Sequence, residues 1–322
     1  MPSPSRCLTA GDALTFVRDR AIHPPADRPR IGLELEWLTY HRHDRHRRVT
    51  PCDLAPVLRA VGELPCHGRV TVEPGGQVEL SSTPQQSVDD ALDATRTDMH
   101  VLRAALADAD ITLEGVGLDR HRRPERVVDA GRYRAMETYF NSFGPHGRTM
   151  MCNSASMQVN IDVDGDPSDA WRAATLAAPL LAQFFNAPSP NRMDVWSGID
   201  LTRAAAVAGA DPSTAWATYA LEARVMFIRC DRDECVAILD GMTFADWLRR
   251  GHRLGWPTEA DLAEHLTTLF PPVRPRGWFE IRTIDALGDE CWPRAVELCA
   301  ALLFEGQDRR RLLSSGEVPA WT

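Results

Sequence analysis

The segment Ile31-Gly32-Leu33-Glu34-Leu35-Glu36-Trp37-Leu38 alternates apolar and acidic residues with a period of two, the pattern of a half-buried strand. On such a strand Glu34 and Glu36 share one face while Leu33, Leu35 and Trp37 share the other. Two like charges on one face repel, and the cost rises as that face leaves water. Either the face is open to solvent or a cation offsets the charge. Carboxylate oxygens are donors suited to Mg²⁺.

The same alternation recurs. Val70-Thr71-Val72-Glu73, Pro74-Gly75-Gly76-Gln77 and Val78-Glu79-Leu80-Ser81-Ser82 read as a hairpin bent at Pro-Gly-Gly, with Glu73 and Glu79 near the two ends of the turn. In Ser156-Met157-Gln158-Val159-Asn160-Ile161-Asp162, Gln158 and Asn160 face away from Val159 and Ile161. In Trp278-Phe279-Glu280-Ile281-Arg282, Glu280 and Arg282 face away from Phe279 and Ile281. Four segments thus each hide an apolar face and offer metal or phosphate ligands on the other, which reads as a catalytic sheet.

The 322 residues are enough to bury a full core, and no run of some 18 apolar residues marks a membrane span. The start, Met1-Pro2-Ser3-Pro4-Ser5-Arg6, lacks the apolar core of a signal peptide. Eight scattered cysteines without such a signal predict reduced thiols and a cytoplasmic location. A net charge of −9 argues against a nucleic-acid partner. The chain has no lysine, so all 36 of its Lys and Arg residues are Arg. A Walker A loop, a Schiff base and a kinase-type lysine are therefore excluded, and phosphates must be met by arginine forks and metal ions.

Around these strands the spacing predicts helices over 8–22, 87–109, 132–140, 166–185, 244–250, 259–269 and 293–304, with a short strand over 111–116. Residues 41–48 read as a solvated hairpin tip, 144–147 as a break, and 215–226 as either helix or strand. Cys230 and Cys235 form a lone pair without the second pair a zinc site needs. No repeat or low-complexity linker divides the chain, so 1–322 reads as one domain.

In order along the chain, Gly32-Leu33-Glu34-Leu35-Glu36, Glu73 to Ser82, Met157 to Asp162 and Arg274 to Arg282 resemble the motifs of glutamate–cysteine ligases, most of all those of the ergothioneine-pathway type. The likeness spans about Pro29 to Leu302. It implies an α+β, glutamine-synthetase-like fold, a curved antiparallel sheet forming a funnel with helices on its outer face. It also implies ATP and two or three Mg²⁺ ions, with glutamate and cysteine joined through a γ-glutamyl phosphate. Position by position, the resemblance implies that Glu34, Glu36, Glu73, Glu79, Gln158 and Glu280 bind metal. Arg282 and Arg148 would meet the transferred phosphate, Arg192 a substrate carboxylate, and Asn160 and Arg276 substrate or ATP. His146 stands near the expected acceptor region, and the loop before Arg192 is short for this family.

Three other readings stay open at this stage: a ligase using a different amine, a guanidino-phosphotransferase of related fold, and a non-catalytic binding protein derived from a ligase. Five glutamates in the family pattern count against the last, because clustered charge is costly to keep without a ligand.

Overall fold

A computed structural model describes residues 8–24, 28–230 and 233–316. The N-terminal stretch read against a signal peptide, part of the Pro24-Pro25 link and the end of the C-terminal tail lie outside these residues.

Strand β1 (Ile31–His41) is the axis of the sheet. It pairs with β3 (Val78–Ser81), with β5 (Ser156–Ile161) and, over its last residues, with β4 (Ile111–Glu114). Strand β2 (Arg69–Val72) extends the sheet beyond β3, and β9 (Phe279–Asp285) then β8 (Val273–Pro275) extend it beyond β5. Every pairing is antiparallel, in the order β2-β3-β1-β5-β9-β8 with β4 beside β1. A separate hairpin, β6 (Phe227–Arg229) and β7 (Cys235–Ala237), carries Cys230 and Cys235.

The helices before the sheet's centre are α1 (Ala10–Ala21), α2 (Pro51–Val61) and α3 (Val88–Asp108). After it come α4 (Gly131–Asn141), α5 (His146–Asn153), α6 (Pro167–Phe185), α7 (Arg192–Ser197), α8 (Leu201–Ala204) and α9 (Pro212–Glu222). The chain continues through α10 (Phe244–Arg250), α11 (Glu259–Thr267), α12 (Trp292–Leu303) and α13 (Gln307–Ser315).

Period two decides which face of the sheet is covered. Leu33, Leu35, Trp37, Val159, Phe279 and Ile281 are all buried in the main core. Helix α3 packs on β1, α12 on β5 and α6 on β9, where Trp171 meets Phe279 ring to ring at 5.6 Å. The expected antiparallel sheet with helices behind it is what the chain forms. Among the described residues no helix is long and apolar enough to cross a membrane.

Several elements differ from the sequence expectation. The residues after the 41–48 tip form helix α2, opened by a capping box in which Thr50 and Asp53 satisfy each other's backbone amides, with Pro51 in the first turn. That signal was present and outweighed by the strand-like Val49-Thr50. The expected break at 144–147 is the start of α5, which has no side-chain cap to announce it. The ambiguous 215–226 stretch is the end of α9 followed by the chain entering β6.

Candidate active site

The polar face of the sheet opens onto a cavity of about 510 Å³, within the range of small-molecule sites. Glu34 and Glu36 of β1, Glu79 of β3, Gln158 of β5 and Arg282 of β9 line its floor, together with Glu73 in the β2–β3 turn. Register explains the convergence. Glu36 lies across from Glu79 and Glu34 across from Gln158, so residues far apart in sequence meet on one face.

The turn that carries Glu73 is held from two sides. The Glu73 amide donates to the Gln77 carbonyl at 2.8 Å, and Gln77 donates to the carbonyls of Met151 and Ser154 at 3.2 and 2.7 Å. Gly75 lies so close to α5 that a Cβ there would stand 2.1 Å from the Cys152 carbonyl oxygen.

Charge divides the floor into two ends. At the acidic end, burial pushes Glu34 from an ordinary 4.5 to about 7, with repulsion from Glu280 and Glu79 adding to it. Burial, then repulsion from Glu79 and Glu36, pushes Glu73 to about 8. Burial also raises Glu36, although the Ser156 amide donates to it at 2.7 Å, and it raises Glu79 despite hydrogen bonds from Thr71 and Ser81. Among the described residues none of these four carboxylates has an ion-pair partner.

At the basic end Glu280 is fully buried and ion-paired with Arg274, Arg276 and Arg282. Burial alone would raise its pKa, but the Arg274 and Arg282 guanidiniums hold it well below the usual carboxylate range. Arg282 bridges Glu280 and Gln158 through Nη1. Because Glu280 turns both oxygens toward guanidiniums, its charge is already matched, unlike that of Glu34, Glu36, Glu73 and Glu79.

The unmatched four are hard oxygen donors whose charge calls for a cation, which fits Mg²⁺ in donor type and in sign. As the side chains stand, no group of three or more His, Cys, Asp and Glu among the described residues is arranged to hold one ion. The mutual pKa elevation shows that the carboxylates interact, and repulsion between them keeps their oxygens apart. Rotation about glutamate's own bonds is the remaining step.

The other expected site residues lie elsewhere. Arg148 is on α5, ion-paired with Glu137 at 3.2 Å, and does not line the cavity. Arg192 is buried at the start of α7 and is also outside the lining. Asn160 donates to Glu34 at 3.2 Å, accepts from the Trp278 indole at 2.8 Å, and lines a smaller neighbouring pocket. Arg276 lines another pocket, beside α1 and α11. His146 is exposed, its ring packed near Gly198.

The cavity's roof was missed in the sequence. Met136 of α4, Met150 and Met151 of α5, Trp196 of α7 and Phe270 face the acidic floor, with Arg132 and Tyr133 beside them. These apolar residues also form a second core cluster. The adjacent Met150-Met151 pair, close behind Arg148, was the available signal.

Residues 30–315 match the profile of glutamate-cysteine ligase family 2 (GCS2). The glutamate–cysteine ligase EgtA of Mycobacterium tuberculosis is 39% identical over 299 residues, covering 85% of this chain and 68% of that protein. EgtA of Mycolicibacterium smegmatis is 39% identical over 295 residues, covering 85% and 69%. The chloroplastic glutamate–cysteine ligase of Medicago truncatula is 29% identical over 270 residues, covering 76% and 52%. The chain therefore spans about two thirds of the length of the EgtA proteins and half that of the plant one. With the family motifs on four strands that face one cavity and the profile matched almost end to end, this chain belongs to glutamate-cysteine ligase family 2.

Proposed function

We propose that this ligase joins the γ-carboxylate of glutamate to the amine of cysteine, using ATP and Mg²⁺, through a γ-glutamyl phosphate. The observation that carries the reading is the divided floor: four unmatched carboxylates at one end, and Arg282 fixed by Glu280 and Gln158 at the other. Phosphoryl transfer asks mainly for positioning and charge neutralisation, and this floor offers both.

Glu34, Glu36, Glu73 and Glu79, with Gln158 alongside, would hold the metal. Bound Mg²⁺ supplies neutralisation of the polyphosphate charge. Arg282 faces the transferred phosphoryl group, and its attachment to Glu280 and Gln158 keeps the guanidinium in place before substrate arrives. A γ-carboxylate oxygen of glutamate attacks the terminal phosphorus of ATP, the bond to ADP breaks, and an acyl phosphate forms. The neutral amine then attacks the acyl carbon and loses a proton, while phosphate leaves with the original carboxylate oxygen.

The roof suits an acceptor with a small, soft side chain. Met136, Met150, Met151, Trp196 and Phe270 present thioethers and aromatic carbon, a surface that accommodates a thiol and excludes water from the acyl phosphate. This wall favours cysteine over a strongly polar amine.

The test is ATP turnover with glutamate and a panel of amines, read by phosphate release and product mass. Slow release with glutamate alone, acceleration by cysteine, and a product bearing γ-glutamyl on nitrogen with its thiol free are expected. Acceleration by a bulkier amine but not by cysteine removes the cysteine half. Phosphorylation of a guanidino compound without amide formation replaces the whole reading.

A further inference from the structure

Strand β9 carries one more residue than its neighbour. Val159 pairs with Ile281, but Met157 pairs with Ile284, so Arg282 and Thr283 together stand opposite the single residue Gln158. This is a β-bulge, a device that re-aims side chains and strips carbonyls of their ladder partners. The freed carbonyls need other donors.

They find them in the segment joining α6 to α7. Arg192 Nη2 donates to the carbonyls of Arg282 at 2.6 Å and Ile284 at 3.0 Å, and Asn186 donates to the Thr283 carbonyl between them at 2.9 Å. Asn186 also accepts from the Asp285 amide at 2.8 Å. Arg192 is 1% exposed, its Nε lies 3.4 Å from Asp285, and its guanidinium sits over the Trp196 ring at 4.9 Å. Only a planar fork reaches two carbonyls and a carboxylate at once.

We propose that Arg192 is a positioning residue that holds the β9 bulge and thereby aims Arg282 into the cavity. The kinetic part rests on the reading of Arg282 as the phosphate-facing group.

The experiment uses Arg192→Lys, Arg282→Lys and their double variant in the full chain, with Asn186→Ser as a milder second probe of the same bulge. Arg192→Lys should lower kcat on the order of 10–100-fold, the scale of a small misplacement at the reacting centre, with the KM for glutamate and for the acceptor within about twofold. The double variant should be little slower than Arg282→Lys alone, because both act through one guanidinium. A raised KM with kcat intact, or losses that multiply, would make Arg192 a substrate contact and overturn the proposal.

Amide hydrogen exchange supplies a readout independent of catalysis. Arg192→Lys and Asn186→Ser should each speed exchange across 281–285 while leaving 31–37 unchanged. Unchanged exchange at 281–285 overturns the proposal even if turnover falls. If no ATP chemistry is found at all, the exchange result alone decides whether Arg192 holds the bulge, and the proposed reaction fails separately. Should Arg192→Lys fail to fold, Asn186→Ser carries both readouts.

Discussion

Glu36 and Glu79 stand directly opposite each other on adjacent antiparallel strands, two carboxylates facing one cavity. Like charges placed across a strand pair destabilise the sheet, so this pair is a cost to folding unless a cation lies between. Glu79→Gln should therefore raise the Mg²⁺ concentration needed for half-maximal turnover by about tenfold or more, while raising the melting temperature in metal-free buffer. Unchanged Mg²⁺ dependence in a Mg²⁺ titration of turnover would remove Glu79 from the metal site.

The acid end also sets a pH dependence. Glu34 and Glu73 have folded pKa values raised to about 7 and about 8 from 4.5, so the folded state binds their protons more tightly than the unfolded chain does. Their contribution is fully present below 4.5 and lost as pH rises through about 7 and 8. In metal-free buffer, denaturant unfolding should show stability falling by a few kcal/mol, to order of magnitude, between pH 5 and 8. Adding Mg²⁺ at pH 8 should recover it, and a flat profile across that window would contradict the assigned environment.

Arg282 donates through one nitrogen to both Gln158 and Glu280, an arrangement that depends on a planar guanidinium. Arg282→Lys keeps the charge and loses the fork. The expected result is a kcat lower by about 10² or more, the scale of removing one preorganised donor. A change confined to KM in steady-state kinetics would make Arg282 a ground-state binding residue instead.

Gly75 lets the Glu73 turn lie against α5, where a Cβ would meet the Cys152 carbonyl oxygen at 2.1 Å. The obstacle is backbone, so it cannot rotate away. Gly75→Ala should cost about 1–3 kcal/mol in denaturant unfolding, in line with other overpacked sites, and weaken Mg²⁺ activation by displacing Glu73. Wild-type stability would show that the turn and α5 separate freely.

The methionine roof predicts how the acceptor is chosen. Replacing the thiol by a methyl, as in 2-aminobutyrate, should leave a working substrate, since a small group in an apolar pocket is worth about 1–3 kcal/mol. Met151→Gln should narrow the preference for cysteine over serine, measured as the ratio of their kcat/KM values. A ratio left unchanged by substitutions at Met136, Met150 and Met151 would move acceptor selection elsewhere.

The sequence by itself determined the faces of the sheet. Strand period is a local property of the backbone, so Glu34 with Glu36, and Glu280 with Arg282, had to share faces opposite Leu35 and Ile281 wherever those strands were placed. Motif order was legible for the same reason. What each polar side chain meets was not, because that depends on chain segments remote in sequence. Glu280 shares the acidic face yet is neutralised by Arg274, which arrives on the neighbouring strand. Arg192 falls in a family motif yet lies under the β9 bulge, a one-residue register shift that no local pattern encodes. The roof exists only because α4, α5 and α7 fold over the sheet and bring Met136, Met151 and Trp196 together. Periodicity assigns a residue to a face; packing between distant segments decides whether that face opens on a cavity, a guanidinium or a buried carbonyl.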